Sequence, residues 1–145
     1  MPTFADSPAL KLYALVAALT AVHMILLALW TGTVRVQRKQ WVNPEDAKLS
    51  KGDQTEQDHP DVQRVKRAHQ NAMENALPFF AIGLLYALTA PTKTAAQAYF
   101  FTFLGARILH SVFYLWGRQP FRTLMFATGV FAMLGMAFHV IRAAV

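Results

Sequence analysis

An uncharged stretch near the amino terminus constrains the fold more than any other feature of this sequence. Residues 12–34 are 23 consecutive positions without an Asp, Glu, Lys or Arg. A helix needs about 20 apolar residues to cross the hydrocarbon core of a bilayer. The stretch is longer than the apolar core of a secretory signal, and Arg35, Arg38 and Lys39 follow it. It therefore predicts a transmembrane helix that is retained.

Three more apolar segments follow, at residues 75–92, 94–117 and 123–141. Pro91 and Pro120 lie in the short connections between them, where helices commonly end or begin. The composition, 54% hydrophobic and 15% charged, is poorer in charge than that of a soluble domain. Backbone groups in lipid must satisfy one another, so the spans are expected to be helices. We predict an all-α, integral membrane four-helix bundle, in one domain over residues 1–145.

The only long connection, at residues 36–61, is rich in charged and amide side chains. Within it, Asn43 followed by Pro44 predicts the start of a short helix. Lys and Arg favour the cytoplasmic side of a membrane, so their distribution predicts non-cytoplasmic termini and a site near the cytoplasmic face. Three of the Lys and Arg residues lie at the ends of the segments expected on the non-cytoplasmic side: Lys11, Lys93 and Arg142. Ten lie on the first and third connections or their flanks: Arg35, Arg38, Lys39, Lys48, Lys51, Arg64, Lys66, Arg67, Arg118 and Arg122.

The first group of candidate site residues precedes or begins the second apolar segment. Arg67, Asn71 and Glu74 are spaced at i, i+4 and i+7, which places them on one face of a helix. A carboxylate beside an apolar stretch is costly unless it is paired, so Glu74 is expected to have a partner. A solvated helix end is the simpler interpretation of the neighbouring Arg64 and Lys66.

A second group, Arg107, His110 and Tyr114, shares one helical face in the third segment. Arg107 has 13 uncharged residues before it and ten after it, and an Arg inside a bilayer costs about 3 kcal/mol on insertion scales. Glu74, which directly precedes the second segment, is the only acidic residue that borders or enters the four segments, so we predict that it pairs with Arg107. A purely structural pair and a direct role of Arg107 in the chemistry are both open interpretations.

A third group, Arg122 and Thr123, stands at the predicted start of the fourth helix. Free N–H groups and the positive end of the helix dipole suit an anion there. A simple membrane anchor is the alternative, and it is the preferred interpretation of Arg118. Together the three groups suit a small zwitterionic ligand with carboxylates and an amine, beside an apolar co-substrate.

The absence of cysteine excludes disulfides, zinc–thiolate sites and a thiol nucleophile belonging to the protein. Any sulfur chemistry must then use a thiol that the substrate brings, and no metal is expected. The net charge of +6 comes from residues that flank apolar spans, so no nucleic acid partner is expected either.

Three segments, in order, resemble the MAPEG family, the membrane-associated proteins in eicosanoid and glutathione metabolism. They are NPEDA at residues 43–47, RVKRAHQNAMEN at 64–75 and GARILHSVFYL at 105–115. Within the family, IGLLY at 82–86 and the Glu74-Asn75 pair are most similar to the microsomal glutathione transferases, and next to the microsomal prostaglandin E synthases. Gln70 stands where the prostaglandin E synthase branch has a basic residue. The connection from Tyr114 to Arg122 is one residue shorter than in the mammalian members of the family.

The resemblance implies a homotrimer of four-helix subunits in membrane lipid, with glutathione bound between neighbouring subunits. It implies a detoxifying glutathione transferase that forms the thiolate for attack on apolar electrophiles, with peroxidase activity toward lipid hydroperoxides as a further expectation. The alternatives are a glutathione-dependent lipid endoperoxide isomerase and a non-catalytic lipid-binding or scaffold protein of the same fold. By motif position, the implied catalytic residues are Arg122 and Asp46. The implied glutathione-binding residues are Arg35 (from the adjacent subunit), Arg67, Asn71, Glu74, Arg107, His110, Tyr114 and Thr123.

Overall fold

A computed structural model describes residues 7–145 of the chain, so the first six residues of the predicted 1–145 domain lie outside the described residues. The described part contains five helices and two short strands, which confirms the predicted all-α class. Its helices are α1 (Pro8–Arg38), α2 (Pro44–Ser50), α3 (Pro60–Leu88), α4 (Lys93–Leu115) and α5 (Gln119–Ala144), and its strands are β1 (Gln40–Trp41) and β2 (Asp53–Gln54).

Local signals in the sequence explain where the long helices begin. The Ser7 hydroxyl accepts a hydrogen bond from the backbone N–H of Leu10 at 3.2 Å and caps α1. The Thr92 hydroxyl accepts from the N–H of Ala95 at 3.3 Å and caps α4 in the same way. A proline stands in the first turn of α1, α2, α3 and α5, where its missing N–H costs nothing.

The long connection contains the predicted short helix, α2, together with a strand pair that the sequence did not predict. Asn43 precedes α2 as expected, but its side chain donates to the Asp46 carboxylate at 3.1 Å instead of capping the helix. β1 and β2 pair in parallel. Gly52 permits this close approach, because a Cβ there would lie 2.6 Å from the Lys39 carbonyl oxygen and 2.8 Å from the Trp41 indole nitrogen.

Three helices, α1, α4 and α5, are long and apolar enough to cross a membrane. α3 does not belong to these three, since its first half carries the charged residues of the 64–75 motif. It is nonetheless one continuous helix of 29 residues, about 43 Å long, whose second half is apolar. It ends at Leu88, four residues before the predicted end, because Ala90 has a positive φ of 52° and Pro91 follows.

Aromatic side chains from α3 and α4 form the centre of the core. The rings of Phe79 and Phe103 stack with centroids 4.1 Å apart, and Phe100 packs edge-on against Phe79 at 6.1 Å. All three are fully buried, as are Val16 of α1 and Met136 of α5, so every long helix contributes to one core. The outward faces of α1 and α5 expose large apolar side chains, as lipid or a neighbouring subunit would require.

The carboxyl end of α1, the amino end of α3 and the turn between α4 and α5 lie at the same end of the bundle. Arg38 pairs with Asp61 at 2.5 Å between α1 and α3. The Arg64 guanidinium lies beside Gly117, in the turn that follows α4. The first and third connections are therefore adjacent, as the positions of the Lys and Arg residues predicted.

Candidate functional site

The most buried charge in the described part of the chain belongs to Arg107, which is only 2% exposed on α4. Its Nη2 donates to the side-chain oxygen of Asn71 on α3 and lies 3.4 Å from the Asn71 backbone oxygen. The same nitrogen lies 3.5 Å from Nδ1 of His110, one turn along α4. Among residues 7–145, Nε and Nη1 of Arg107 have no hydrogen-bond partner.

The predicted pair of Glu74 with Arg107 is wrong. Glu74 is exposed on α3 and accepts a hydrogen bond from the Gln70 side chain at 3.0 Å, one turn earlier on the same helix. Residues three apart on a helix differ by about 60° in direction. Asn71 takes the position that faces α4, and Glu74 points past it, so Arg107 is held by amide oxygens and not by a carboxylate.

A row of side chains continues from Arg107 toward the α4–α5 turn. The rings of His110 and Tyr114 lie 5.8 Å apart, and the guanidinium carbon of Arg122 lies 4.7 Å from the centre of the Tyr114 ring. The connection between α4 and α5 therefore brings Arg122 onto Tyr114. We call Asn71, Arg107, His110, Tyr114 and Arg122 the three-helix cluster, since α3, α4 and α5 contribute to it.

Sequence reasoning did not identify Phe126, which packs on the three-helix cluster from α5. Its ring centre lies 6.0 Å from the guanidinium carbon of Arg107 and 6.1 Å from the His110 ring. Phe126 is four residues after Arg122 and shares its helical face, which is the signal that could have identified it.

Five of the predicted site residues stand apart from the three-helix cluster. Arg67 is exposed and donates to Gln63 at 3.5 Å. Thr123 is exposed in the second turn of α5, because this helix begins at Gln119, four residues before the predicted start. Arg35 ends α1, and Asp46 lies in α2. Within residues 7–145, no hydrogen bond or ion pair joins these residues or Glu74 to the three-helix cluster.

Arg35 instead belongs to a charge cluster that the sequence did not predict, centred on Asp58. The Arg35 guanidinium donates to both carboxylate oxygens of Asp58, at 3.2 and 3.3 Å. Lys66 of α3 donates to the same carboxylate at 2.9 Å. The Asp58 side chain is only 8% exposed, so it joins the end of α1 to the start of α3. Nothing in its local sequence distinguishes it from the other acidic residues of the connection.

The Asp58 cluster makes stability depend on pH. Burial by itself would raise the pKa of the Asp58 carboxyl, but hydrogen bonds from Lys66 and Arg35, together with their charges, lower it below its usual value. A carboxyl whose pKa is lower in the folded state stabilises the fold above its unfolded pKa of about 4. That stabilisation is lost as the pH falls through the lower, folded pKa.

We expect Asp58→Asn to lower the unfolding free energy by about 2 kcal/mol at pH 7, because charged hydrogen bonds are lost. The measurement is thermal unfolding of the purified protein at pH 7 and at pH 3. The difference in unfolding free energy between Asp58→Asn and the unmodified protein should be smaller at pH 3 than at pH 7. Asp53→Asn is the matched control, since Asp53 is exposed. An equal destabilisation at both pH values would contradict this role of the carboxylate.

Two adjoining cavities lie between α1 and α3. One, of about 560 Å³, is lined by polar side chains that include Arg35, Lys66 and Gln70. The other, of about 350 Å³, is lined by apolar side chains such as Met24 and Phe80. The two share Ala28, His69 and Met73 at their boundary, so a charged end of the groove continues into an apolar one.

Comparison with known proteins identifies the family. The family model described as "MAPEG family" matches residues 13–142, which is most of the chain. The chain belongs to the MAPEG family. The prediction made from the three sequence motifs is therefore confirmed.

Curated MAPEG relatives of two kinds align with almost the whole chain. Prostaglandin E synthase of Homo sapiens is 36% identical over 137 residues, which cover 94% of this chain and 90% of the relative. Prostaglandin E synthase of Equus caballus is 37% identical over 134 residues, covering 92% and 88%. Microsomal glutathione S-transferase 1 of Homo sapiens is 37% identical over 142 residues, covering 94% and 92%. Identity alone does not separate the two kinds of relative.

Proposed function

We propose that this protein is a membrane-bound glutathione transferase that activates the thiolate of glutathione for attack on apolar electrophiles. The alignment of 94% of this chain with relatives named as enzymes carries the assignment to an enzyme of this family. The IGLLY segment at 82–86 and the Glu74-Asn75 pair favour the transferase over the isomerase. The packing of Arg122 on Tyr114 beside His110 supports the proposal. A non-catalytic scaffold of the same fold is not favoured, because the relatives compared are named as enzymes.

The proposed mechanism begins with ionisation of the glutathione thiol. A cysteine thiol has a pKa near 8.5, so only about 3% is thiolate at pH 7. Lowering that pKa by about two units requires roughly 2.7 kcal/mol of preference for the anion. We assign this preference to Arg122, assisted by the Thr123 hydroxyl. The thiol proton leaves to water, and the sulfur then attacks the electrophile and displaces its leaving group.

Binding of the rest of glutathione would use the polar groups at the same end of the bundle. Its two carboxylates and its amine match Arg67, Asn71, Glu74 and His110, which offer cationic, amide, anionic and imidazole groups. The amine of glutathione needs an anion, and Glu74 is exposed and not engaged with Arg107. The correction of the predicted pair therefore leaves this carboxylate available to a ligand.

The proposed enzyme is a homotrimer, with glutathione between neighbouring subunits. Arg35 and Asp46 make no hydrogen bond or ion pair with the three-helix cluster of their own chain, within the part that the structure describes. A neighbouring subunit would bring them to it, with Asp46 beside Arg122 as a second catalytic residue. The broad apolar faces of α1 and α5 offer surface for subunits and for lipid. Mass measurement in mild detergent should give three chains per particle, and a monomer alone would contradict the shared site.

The proposed placement in the membrane has four spans, with the apolar half of α3 as the second. α3 carries more charged residues than the other three long helices. These residues lie in its first half, which would extend beyond the lipid on the cytoplasmic side. Both termini would then be non-cytoplasmic. The three-helix cluster would lie near the cytoplasmic boundary, where both glutathione and apolar substrates have access.

Turnover with three classes of substrate tests the proposed function. Purified protein is given glutathione with an aryl halide, with a lipid hydroperoxide or with a lipid endoperoxide. Conjugation of the aryl halide is the expected result, and hydroperoxide reduction would add peroxidase activity. Isomerisation of the endoperoxide without conjugation would favour the prostaglandin E synthase alternative, whose relatives are equally similar. No turnover of any of the three would contradict the proposal.

A further inference from the structure

We propose that Arg107 is a positioning residue that fixes the hydrogen-bonding direction of both Asn71 and His110 and does not itself touch the substrate. Its guanidinium is buried between α3, α4 and α5, and only 2% of the residue is exposed. A group so enclosed acts through the side chains that it contacts. This inference rests on the proposed function for its purpose, but its geometric content can be tested without any substrate.

The contact with Asn71 determines which way the Asn71 amide points. A guanidinium has only donors, so the Asn71 atom that faces Nη2 must be the oxygen. The amide –NH2 is then directed away from Arg107, and it has no hydrogen-bond partner among residues 7–145. The Asn71 backbone oxygen also accepts from the Asn75 side chain at 2.9 Å, which holds this part of α3 in place.

The contact with His110 determines which ring nitrogen carries the proton. Nδ1 of His110 lies 3.5 Å from Nη2 of Arg107, and Arg107 can only donate. A hydrogen bond between these two atoms requires Nδ1 to accept, so the proposed neutral ring carries its hydrogen on Nε2. His110 is almost fully buried, and Nε2 has no partner in the part of the chain that the structure describes.

The two assignments together leave Asn71 and His110 with the same kind of free group. The free groups of Asn71 and His110 are both donors, the amide –NH2 and the Nε2–H. Two neutral donors suit the oxygens of a carboxylate or peptide group of the ligand better than its amine. Arg107 thus converts two ambivalent side chains, each able to donate or accept, into donors.

The backbone of α5 holds Arg107 in this geometry. A Cβ at Gly129 would lie 3.3 Å from Cδ of Arg107, which is closer than nine in ten such contacts. Glycine at this position allows α5 to pass directly over the Arg107 side chain. The aliphatic part of Arg107 is therefore confined between α5 and α3, and the guanidinium is directed at Asn71 and His110.

Nitrogen-15 NMR of histidine in the substrate-free, detergent-solubilised protein tests the inference. Long-range proton–nitrogen spectra distinguish the two ring nitrogens, and His110→Gln identifies the His110 signals by their loss. The expected result is a neutral His110 with hydrogen on Nε2 in the unmodified protein. A hydrogen on Nδ1 would overturn the inference, whatever any variant does.

Two variants of Arg107 extend the test. Arg107→Met should allow a population of at least about one in ten molecules with hydrogen on Nδ1, because the donor that excludes it is gone. Arg107→Lys retains a group that can only donate hydrogen bonds, and it should keep the Nε2 form. This variant tests the inference even if Arg107→Met does not fold. Lys93→Met is the matched control, since it removes an exposed cation from the start of α4. An unchanged His110 spectrum in folded Arg107→Met would overturn the inference.

Glutathione titration of the same samples separates this inference from the proposed function. Arg107→Met should weaken glutathione binding about tenfold, which corresponds to the loss of one well-directed hydrogen bond. If the unmodified protein has the Nε2 form but binds no glutathione, the proposed function fails and the positioning role stands. If glutathione binds equally to the unmodified protein and the Met variant, the positioning role fails.

Discussion

Arg122→Ala should reduce turnover far more than it reduces glutathione affinity. Glutathione's carboxylates and amine have several other partners in the proposed site, so the loss of one cation at the sulfur removes little ground-state binding. Ionisation of the thiol, in contrast, depends on the field at that atom. Without about 2.7 kcal/mol of anion preference, the thiolate fraction at pH 7 falls from about three quarters to about 3%.

The pH dependence of this loss follows from the same thiol. At saturating glutathione, the rise with pH of kcat/KM for the electrophile should shift upward by about two pH units in Arg122→Ala, toward the pKa of free cysteine near 8.5. The measurement is steady-state conjugation between pH 6 and pH 9, beside the dissociation constant of glutathione. Arg122→Lys should rescue the activity only in part, because an ammonium lacks the planar fork of the guanidinium.

Arg118→Ala is the matched control for Arg122, since it removes an exposed cation four residues earlier in the same turn. Its activity and its pH profile should stay close to those of the unmodified protein. If Arg122→Ala loses glutathione binding while the pH profile stays in place, Arg122 is a carboxylate clamp. The assignment of thiolate formation to Arg122 would then be wrong.

Asn71→Leu should be the most destabilising single change in the three-helix cluster. It removes the oxygen that accepts from Arg107 and leaves a buried guanidinium whose other nitrogens already lack partners within the described residues. Loss of one partner of a buried charge costs about 3 kcal/mol. Denaturant unfolding in detergent, followed by circular dichroism, measures the change.

A double-mutant cycle separates this contact from simple packing. Arg107→Met removes the buried charge itself and should cost less than Asn71→Leu, because a long apolar side chain fills the same space. The double variant should recover more than half of the stability that Asn71→Leu loses, with a coupling energy above ~1 kcal/mol. Additive effects would mean that the contact carries no energy. Glu74→Gln is the control and should be nearly neutral for folding, since Glu74 is exposed.

Much of the fold could be predicted because its signals are local. Apolar stretches of membrane length fix the positions of α1, α4 and α5, and prolines and capping residues fix where they begin. The short α2 was predicted from two adjacent residues, Asn43 and Pro44. The β1–β2 pair was not, because strands of two residues carry no periodicity and depend on contacts between distant parts of the loop.

Helical spacing predicted which site residues share a face of one helix, but it could not predict which residues meet between helices. Spacing placed Arg107, His110 and Tyr114 on one face, and the structure shows them in a row. Spacing could not decide which α3 side chain faces Arg107, because Asn71 and Glu74 differ by only about 60° around the helix. The charge argument favoured Glu74, but the packing of α3 against α4 selects Asn71. Asp58 was missed for a related reason, since its partners lie 23 and eight residues away.

The absorbance of the thiolate of glutathione bound to the purified protein tests the central claim most directly. Titration of the protein with glutathione at pH 7, with the thiolate band followed against a blank without protein, measures how much bound thiol is ionised. The account predicts that most of the bound glutathione is thiolate, that the band titrates about two units below the free thiol, and that Arg122→Ala abolishes it. Bound glutathione that stays protonated at pH 7 in the unmodified protein would contradict the account.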